Sequence, residues 1–386
     1  MTGNLPVVPI HDFVIKDDDL VVATHGRSFW ILDDLTGIRE LARLKEDTQS
    51  HLFDLRDPVR FRTARGFGLE APGSKNFHRV AGEFATYVTE PGPDGEPEQV
   101  LLDAGQNPPD GVQFNYYLKE KPEGEISLQI LDEKGNELRR FVSKDESVKE
   151  EPPVQGEFRQ PNIPKKQGVN RFVWDMRHQG ASDLPHDASM GMMRGAMAGP
   201  LVVPGKYKVK LSACGQEHTR EFELLPDPRI DVSQEDLEEQ LALSLNVRDK
   251  LTETHEAIKR ARRVRGQIDI WTERFKDQKD GEKIVEAGEK MKERIGEVEG
   301  VLTQVKAKSL QDILNFPTML NAKLGGLLGQ IGAADSAPTS QQYDVFEDLS
   351  NRVDEQVKKL DEVLEKDAKE LNKLIGEQKI EPVSID

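Results

Sequence analysis

The sequence predicts an α+β multidomain chain: an antiparallel β-sandwich of immunoglobulin or fibronectin type, then a C-terminal antiparallel helical bundle. Three observations predict it. The 386 residues exceed one ordinary core and suggest about two to three units of roughly 150 residues. Composition changes near residue 230, with twelve of the fifteen Phe before that point. Hydrophobic spacing changes at the same place, from alternation to helical steps of three and four. The stretch LLPDPRIDVS (224–233) reads as the hinge, with Pro226 and Pro228 ending a strand and Ser233 starting a helix.

Along the first part, LVVATHGRSFWIL (20–32) holds two short strand-like runs about a His25–Gly26–Arg27 turn. Residues 112–142 read as a three-strand meander, with Val112, Phe114, Tyr116 and Leu118 alternating, then Ile126, Leu128 and Ile130, then a run ending at Phe141. The clearest hairpin is 206–225. Tyr207, Val209, Leu211 and Ala213 share one face, Lys206, Lys208 and Lys210 the other, and Cys214–Gly215 makes the turn. One dry face and one wet face predict a sandwich-type sheet.

In the second part, Ser233 and Asp236 form a capping box before a helix running through Leu237, Leu251, Ile258, Ile268 and Phe275. Ile284, Gly288, Met291, Ile295, Val298, Leu302 and Val305 then step four and three, the seam of a packed helix pair. A short apolar stretch (Leu320, Leu324, Leu327, Ile331) follows Pro317. A last helix runs from Phe346 through Leu349, Val353, Val357, Leu360, Leu364 and Leu371 to Ile375. Long helices with short connections predict a bundle.

Composition excludes several classes. The formal charge of -17 opposes nucleic-acid binding, because phosphate attracts basic surfaces. No apolar run reaches the roughly 20 residues of a membrane span. The lone Cys214 makes no internal disulfide and no thiolate zinc site. The opening MTGNLPVVPIHDF has neither a basic n-region nor an apolar h-region, so no export signal is expected and the chain reads as cytoplasmic as written.

Several phrases in order resemble one family, the bacterial BNR-repeat proteins labelled as glycosyl hydrolases, which carry a sortilin-like β-propeller. DLVVATHGRSFWILDD (19–34) is similar to a closing propeller blade. QNPPDGVQFNYYLK (106–119), GVNRFVWDMR (168–177), GPLVVPGKYKVKL (199–211) and PDPR (226–229) are similar to the following sandwich, and 323–349 to the C-terminal helices. The resemblance covers nearly the whole chain but only the last portion of the family's usual length. It implies a partial propeller-blade β segment with connector over 1–80, a β-sandwich over 81–230 and an α-helical bundle over 231–386. A ring closes with about 4–8 blades, and residues 1–60 supply about one, so the chain is expected to be a C-terminal piece. Its partner would be a protein or the missing blades. The parent family is expected to be exported, periplasmic or extracellular.

The implied function is a non-catalytic accessory and interaction region of such a propeller protein. The alternative is part of a sialidase-like, carbohydrate-active glycoside hydrolase whose catalytic propeller lies elsewhere. Glycosidases need two carboxyl groups at set spacing or a tyrosine nucleophile with its acid/base partners. No sialidase box of the Ser-x-Asp-x-Gly-x-Thr-Trp type occurs, and no catalytic or cofactor-binding residue is assigned. His25, Arg27, Asp33 and Asp34 could line a channel mouth; as ordinary turn residues, Arg27 pairs locally and Asp33–Asp34 cap the next segment.

HQGASDLPHDASMGMMRGAMAGP (178–200) concentrates four of the eight Met. His178, His186, Met190, Met192, Met193 and Met197 are candidate Cu(I) ligands, since thioethers and imidazoles suit that ion. Against this, the segment reads as a flexible loop over the sandwich, with methionine as adaptable filler or as a contact patch. KRARRVR (259–265) reads as a solvated helix face neutralised by Glu253, Glu256 and Asp269. Trp174, in phase with Phe172 and Met176, reads as sandwich core. LGGLLGQIG (324–332) lacks the P-loop Lys-Ser/Thr and reads as helix packing.

Overall fold

The computed structural model describes residues 5, 7–61, 75–80, 83–91, 97–102, 110–144, 160–184, 187–278, 281–309 and 311–378. They divide into two units. One comprises Met1–Glu150, Arg159–Met176 and Pro204–Asp231; the other comprises Glu151–Phe158, Arg177–Val203 and Val232–Asp386. The protein is mixed α/β, with several antiparallel sheets and a C-terminal helical region.

The first unit opens with an antiparallel sheet of three strands, β1 (Ile10–Lys16), β2 (Asp19–Thr24) and β3 (Phe29–Leu32). Asp17 and Asp18, at φ 51° and 68°, form the two-residue turn between β1 and β2, the left-handed pair that a type I′ turn needs. A single-turn helix α1 (Thr36–Leu41) and short strands β4 (Ser50–Leu52) and β5 (Val59–Arg60) follow. Strands β6 (Lys75–Val80), β7 (Glu83–Pro91) and β8 (Pro97–Leu101) make a second antiparallel sheet.

The remaining strands are β9 (Val112–Leu118), β10 (Ser127–Asp132), β11 (Glu137–Val142), β12 (Gly168–Trp174), β13 (Gly205–Ala213) and β14 (Gln216–Pro226). They form two sheets, ordered β12-β9-β4 and β11-β10-β13-β14-β5, the β14–β5 pair alone being parallel among these. Each strand hides alternate residues. In β9 these are Val112, Phe114, Tyr116 and Leu118; in β13 they are Tyr207, Val209, Leu211 and Ala213. The hidden faces meet through aromatic rings. Phe114 lies 5.8 Å from Phe222, Trp174 6.1 Å from Tyr207, and Phe141 4.6 Å from Phe172. Burial pushes the Tyr207 phenol up to about 12. Burial likewise raises that of Tyr116, whose hydroxyl donates to the Pro164 carbonyl, so both rings stay neutral. Trp174, Phe172 and Met176 are all buried, as their phase predicts.

The 206–225 hairpin forms as expected, with Ala213 paired to Gln216 across Cys214–Gly215. The meander over 112–142 does not. β9 pairs with β12 and β4, whereas β10 and β11 join β13. The physical reason is that β9 and β10 each carry one apolar face, and facing each other buries both. The link over 119–126 is long enough to cross the roughly 10 Å between packed sheets.

The second unit contains α2 (Gln234–Phe275), α3 (Glu282–Leu302), α4 (Leu320–Ile331) and α5 (Ser340–Glu377). Ser233 caps α2 by accepting the Asp236 N–H at 3.0 Å. The reciprocal capping box forms at α5, between Thr339 and Gln342. The predicted seam is buried from Ile284 to Leu302, while Val305 lies beyond the helix end and is exposed. Gly288 permits the close approach of α3 to α2. A Cβ there would stand 2.5 Å from Thr272 Cγ2 and 3.1 Å from Ile268 Cγ2.

The segment 178–200, expected as a loop over the sandwich, lies within the stretch Arg177–Val203 that belongs to this helical unit. Its 3-10 helix Gly191–Ala198 packs on α4, and Ala181, Leu184, Met190 and Met197 enter the same core as the helices. Its apolar side chains find a drier site between helices than over a sheet edge.

Two substitutions test this packing. Phe114→Ala removes a ring between the sheets and is expected to cost about 3–5 kcal/mol, read as a lower urea midpoint in Trp174 fluorescence of a chain carrying Trp30→Phe and Trp271→Phe, with the helical signal unmoved. Gly288→Leu overpacks the α2–α3 contact and is expected to cost about 1–3 kcal/mol, read at 222 nm by circular dichroism.

Candidate functional site

The N-terminal sheet has an unusual distribution of side chains. Residues opposite one another share a face, so the register puts Phe13, Val22 and Trp30 together with Ile15, Leu20 and Leu32 on one side. Val14, Val21 and Ile31 lie on the other, with Ala23 and Phe29. Both faces are therefore apolar. Both are also uncovered: Phe13 is 66% exposed on the first, and Phe29 and Ile31 are 74% and 60% exposed on the second. Patches of this kind mark contact surfaces. β1 is a strand that the reading of 20–32 omitted, and it supplies Phe13, Val14 and Ile15.

The sheet is fastened at one end. The Asp18 carboxylate pairs with Arg39, and the Asp18 carbonyl accepts the Leu35 N–H at 2.8 Å. Asp19 Oδ1 accepts the Asp34 N–H at 2.9 Å and Arg56 at 3.0 Å. Of the residues read as a channel mouth, Asp34 Oδ1 accepts the Thr36 N–H at 3.0 Å and so caps the following turn. The Arg27 carbonyl accepts the Trp30 indole N–H, and His25 stacks on His11 with centroids 4.9 Å apart. Strand β3 separates His25 and Arg27 from Asp33 and Asp34, so the four do not converge.

A second cluster escaped the sequence. Ser50 Oγ lies 2.8 Å from His218 Nε2 and 3.1 Å from Gln216 Oε1. Beside it, His51 Nε2 lies 2.8 Å from Glu40 Oε2. A serine against an imidazole is half of a nucleophile–base pair. Ser50, however, is 2% exposed within β4, and its hydroxyl also reaches the Ala213 carbonyl. The contact ties β4 to the β13–β14 hairpin. Burial, with His51 and Arg220 nearby, holds His218 below the usual imidazole range.

The helical unit holds a buried polar network. Arg262 binds Glu299 Oε1 at 2.7 Å and Asp187 Oδ2 at 2.5 Å, and Arg265 binds Glu299 Oε2 at 2.5 Å. The Glu299 side chain is 1% exposed. Thr303 Oγ1 donates to Ser189 Oγ at 2.7 Å, and Asn321 Nδ2 donates to the same oxygen at 2.8 Å. Burial pushes Asp187 up, but hydrogen bonds from Ser189 and Arg262 outweigh it and leave the carboxyl below its usual range. The basic run is thus only partly the solvated face expected. Lys259 pairs with Glu256 at 2.9 Å, but Arg262 and Arg265 reach inward to Glu299, while Glu253 serves Lys250 and Asp269 serves Lys292.

The candidate copper ligands are divided. Met190 and Met197 are buried in the helical core. Met193 lies over Gly325 and Gly326 of α4, and a Cβ on Gly325 would stand 2.5 Å from Met190 Cε. Gly325 and Gly326 of LGGLLGQIG therefore make room for the two methionine side chains. The His178 N–H donates to the Pro200 carbonyl at 2.8 Å. His186 and the Met192 side chain lie outside the described residues. Between α4 and α5, a shallow groove of about 490 Å³ is lined by Leu327, Val345 and Leu349 together with Lys323, Gln330, Gln341 and Gln342. It contains no carboxylate to act as acid or base. Among the described residues, no three His, Cys, Asp or Glu cluster to hold a metal ion. No helix among them is long and apolar enough to cross a membrane.

No family model matches the chain, and no curated protein matches it.

Glu299→Gln tests the buried network. Losing the shared carboxylate charge is expected to destabilise the helical unit by about 1.5–3 kcal/mol, measured as a lower midpoint for loss of helical ellipticity in urea.

Proposed function

We propose that the chain is a non-catalytic accessory and interaction region of a BNR-repeat, sortilin-like propeller protein. In this reading β1–β3 are strands of one blade, the two packed sheets are an immunoglobulin- or fibronectin-like sandwich, and the helices form the terminal bundle. The observation that carries it is the N-terminal sheet, apolar and exposed on both faces. A sheet that borders a single core has one polar face. One with two apolar faces needs a cover on each side, which is the situation of a blade between neighbours in a ring. Two copies stacked on each other would still leave one face of each exposed, so flanking sheets are the better-fitting partner. Those blades would lie in the same polypeptide or in a partner, and binding would proceed by burial of apolar surface rather than by bond chemistry.

Photo-crosslinking tests the reading. A benzophenone side chain is placed at position 13 or 31 of the full chain in cells, and crosslinked peptides are mapped. Crosslinks from both positions into β-strands of propeller repeats are expected, and Phe29→Ser with Val14→Ser, on the same face, should remove those from position 31. Crosslinks from one face only, or into a helical protein, would overturn the blade assignment. Turnover of aryl glycosides by the purified chain, lost on changing a single carboxylate, would overturn the non-catalytic part and favour the hydrolase alternative.

A further inference from the structure

Within the helical unit, the strap Arg177–Val203 is held by a buried imidazole. His255 on α2 is 1% exposed. Its Nδ1 lies 2.5 Å from the Ser182 carbonyl oxygen, while Nε2 is buried with no hydrogen-bond partner. Only one protonation state suits these surroundings. A neutral ring with its proton on Nδ1 donates to Ser182 and leaves a bare lone pair at Nε2. A second proton would create a buried N–H donor without an acceptor, on a ring carrying charge.

Ser182 is the fixed point of the strap. Its N–H donates to Thr252 Oγ1 at 3.2 Å, Lys259 Nζ donates to its hydroxyl at 2.6 Å, and the hydroxyl also pairs with the Glu256 carboxylate. On one side Arg248 reaches the Gln179 carbonyl; on the other Arg262 holds Asp187. Losing the His255 contact would therefore act at the middle of a strap whose Leu184, Met190 and Met197 fill the helical core.

We infer that His255 is a pH-operated latch: neutral, it holds the strap Arg177–Val203 on the helices, and protonated, it releases the strap and uncovers the apolar surface beneath. Among the described residues, the charged groups acting on the ring are Asp183 and Asp187 from the strap and Glu256 and Lys259 from α2. The acidic groups favour the imidazolium and Lys259 opposes it. Burial is the largest influence and holds His255 below its ordinary range. The folded ring thus binds a proton less readily than the unfolded one. Its stabilisation is fully present above the unfolded value of about 6.5 and fades as pH falls below it.

Hydrogen exchange of the full chain, read by mass spectrometry at pH 7.5 and 5.5 and corrected for intrinsic rates, tests the latch. The lower pH lies above the ordinary carboxylate range of about 4. Protection of peptides from 177–203 is expected to fall by up to roughly tenfold, the effect of one pH unit on a titrating group, with the β unit unchanged. His255→Gln, whose amide can donate to Ser182 without titrating, should remove the pH dependence. Equal strap protection at both pH values, or a loss spread over the whole chain, would overturn the inference in the wild-type protein alone. A folded His255→Gln variant that loses protection as the wild type does would also overturn it.

Discussion

Successive side chains of a strand point to opposite sides, so a sheet's sequence states how many of its faces must be covered. In β13 and β14 one face carries Tyr207, Val209, Leu211 and Phe222, and the other carries Lys208 and Lys210 paired with Glu221 and Glu217. Such a sheet needs one cover, and the β12-β9-β4 sheet provides it. In β1–β3 the same rule gives a different demand, because Phe13 and Ile15 oppose Val14, Ile31 and Phe29 across the sheet. One unit thus holds a sheet that needs a single cover and a sheet that needs two.

The helical unit is governed by a related constraint. An irregular segment can enter a core only if its polar groups find partners. The strap brings Asp187 and Ser189 with its apolar residues, and Arg262, Thr303 and Asn321 receive them. Glu299 then balances Arg262 and Arg265. Breaking such a buried set costs more than the set adds over apolar packing, so its value here lies in fixing one position for the strap.

Legibility in the sequence followed the range of the interaction. The α3 seam and the Tyr207–Ala213 alternation are local, and both were readable from spacing alone. Pairing order is not local: β9 looked like the first strand of a meander because nothing near it identifies β12 as its partner. β1 escaped for a local reason. Both of its faces are apolar, so Phe13, Val14 and Ile15 follow one another without a polar residue between them and give no alternation to read. Glu299 resembled any other acidic residue of a charged helix, and Ser50 and His218 are separated by most of the first unit. His255 gave no signal, since a single histidine on a long helix has no pattern. The Met-rich segment was legible as filler, but the core it fills belongs to the helices.

The attachment of the N-terminal sheet bears on how it is used. Its polar contacts to the rest of its unit gather at the β1–β2 turn and the end of β3, through Asp18, Asp19, Arg39 and Arg56. The ion pairs among them are exposed, and such pairs contribute about 0–1 kcal/mol each. Large apolar faces usually fold back on the nearest core. Here the faces stay uncovered while the weaker polar contacts set the position of one end. Among the described residues, fastening by an end leaves the edges of β1 and β3 without a further strand and both faces exposed, as a strand group inserted between flanking sheets requires. A sheet meant only to cap its own domain would be fastened by a face.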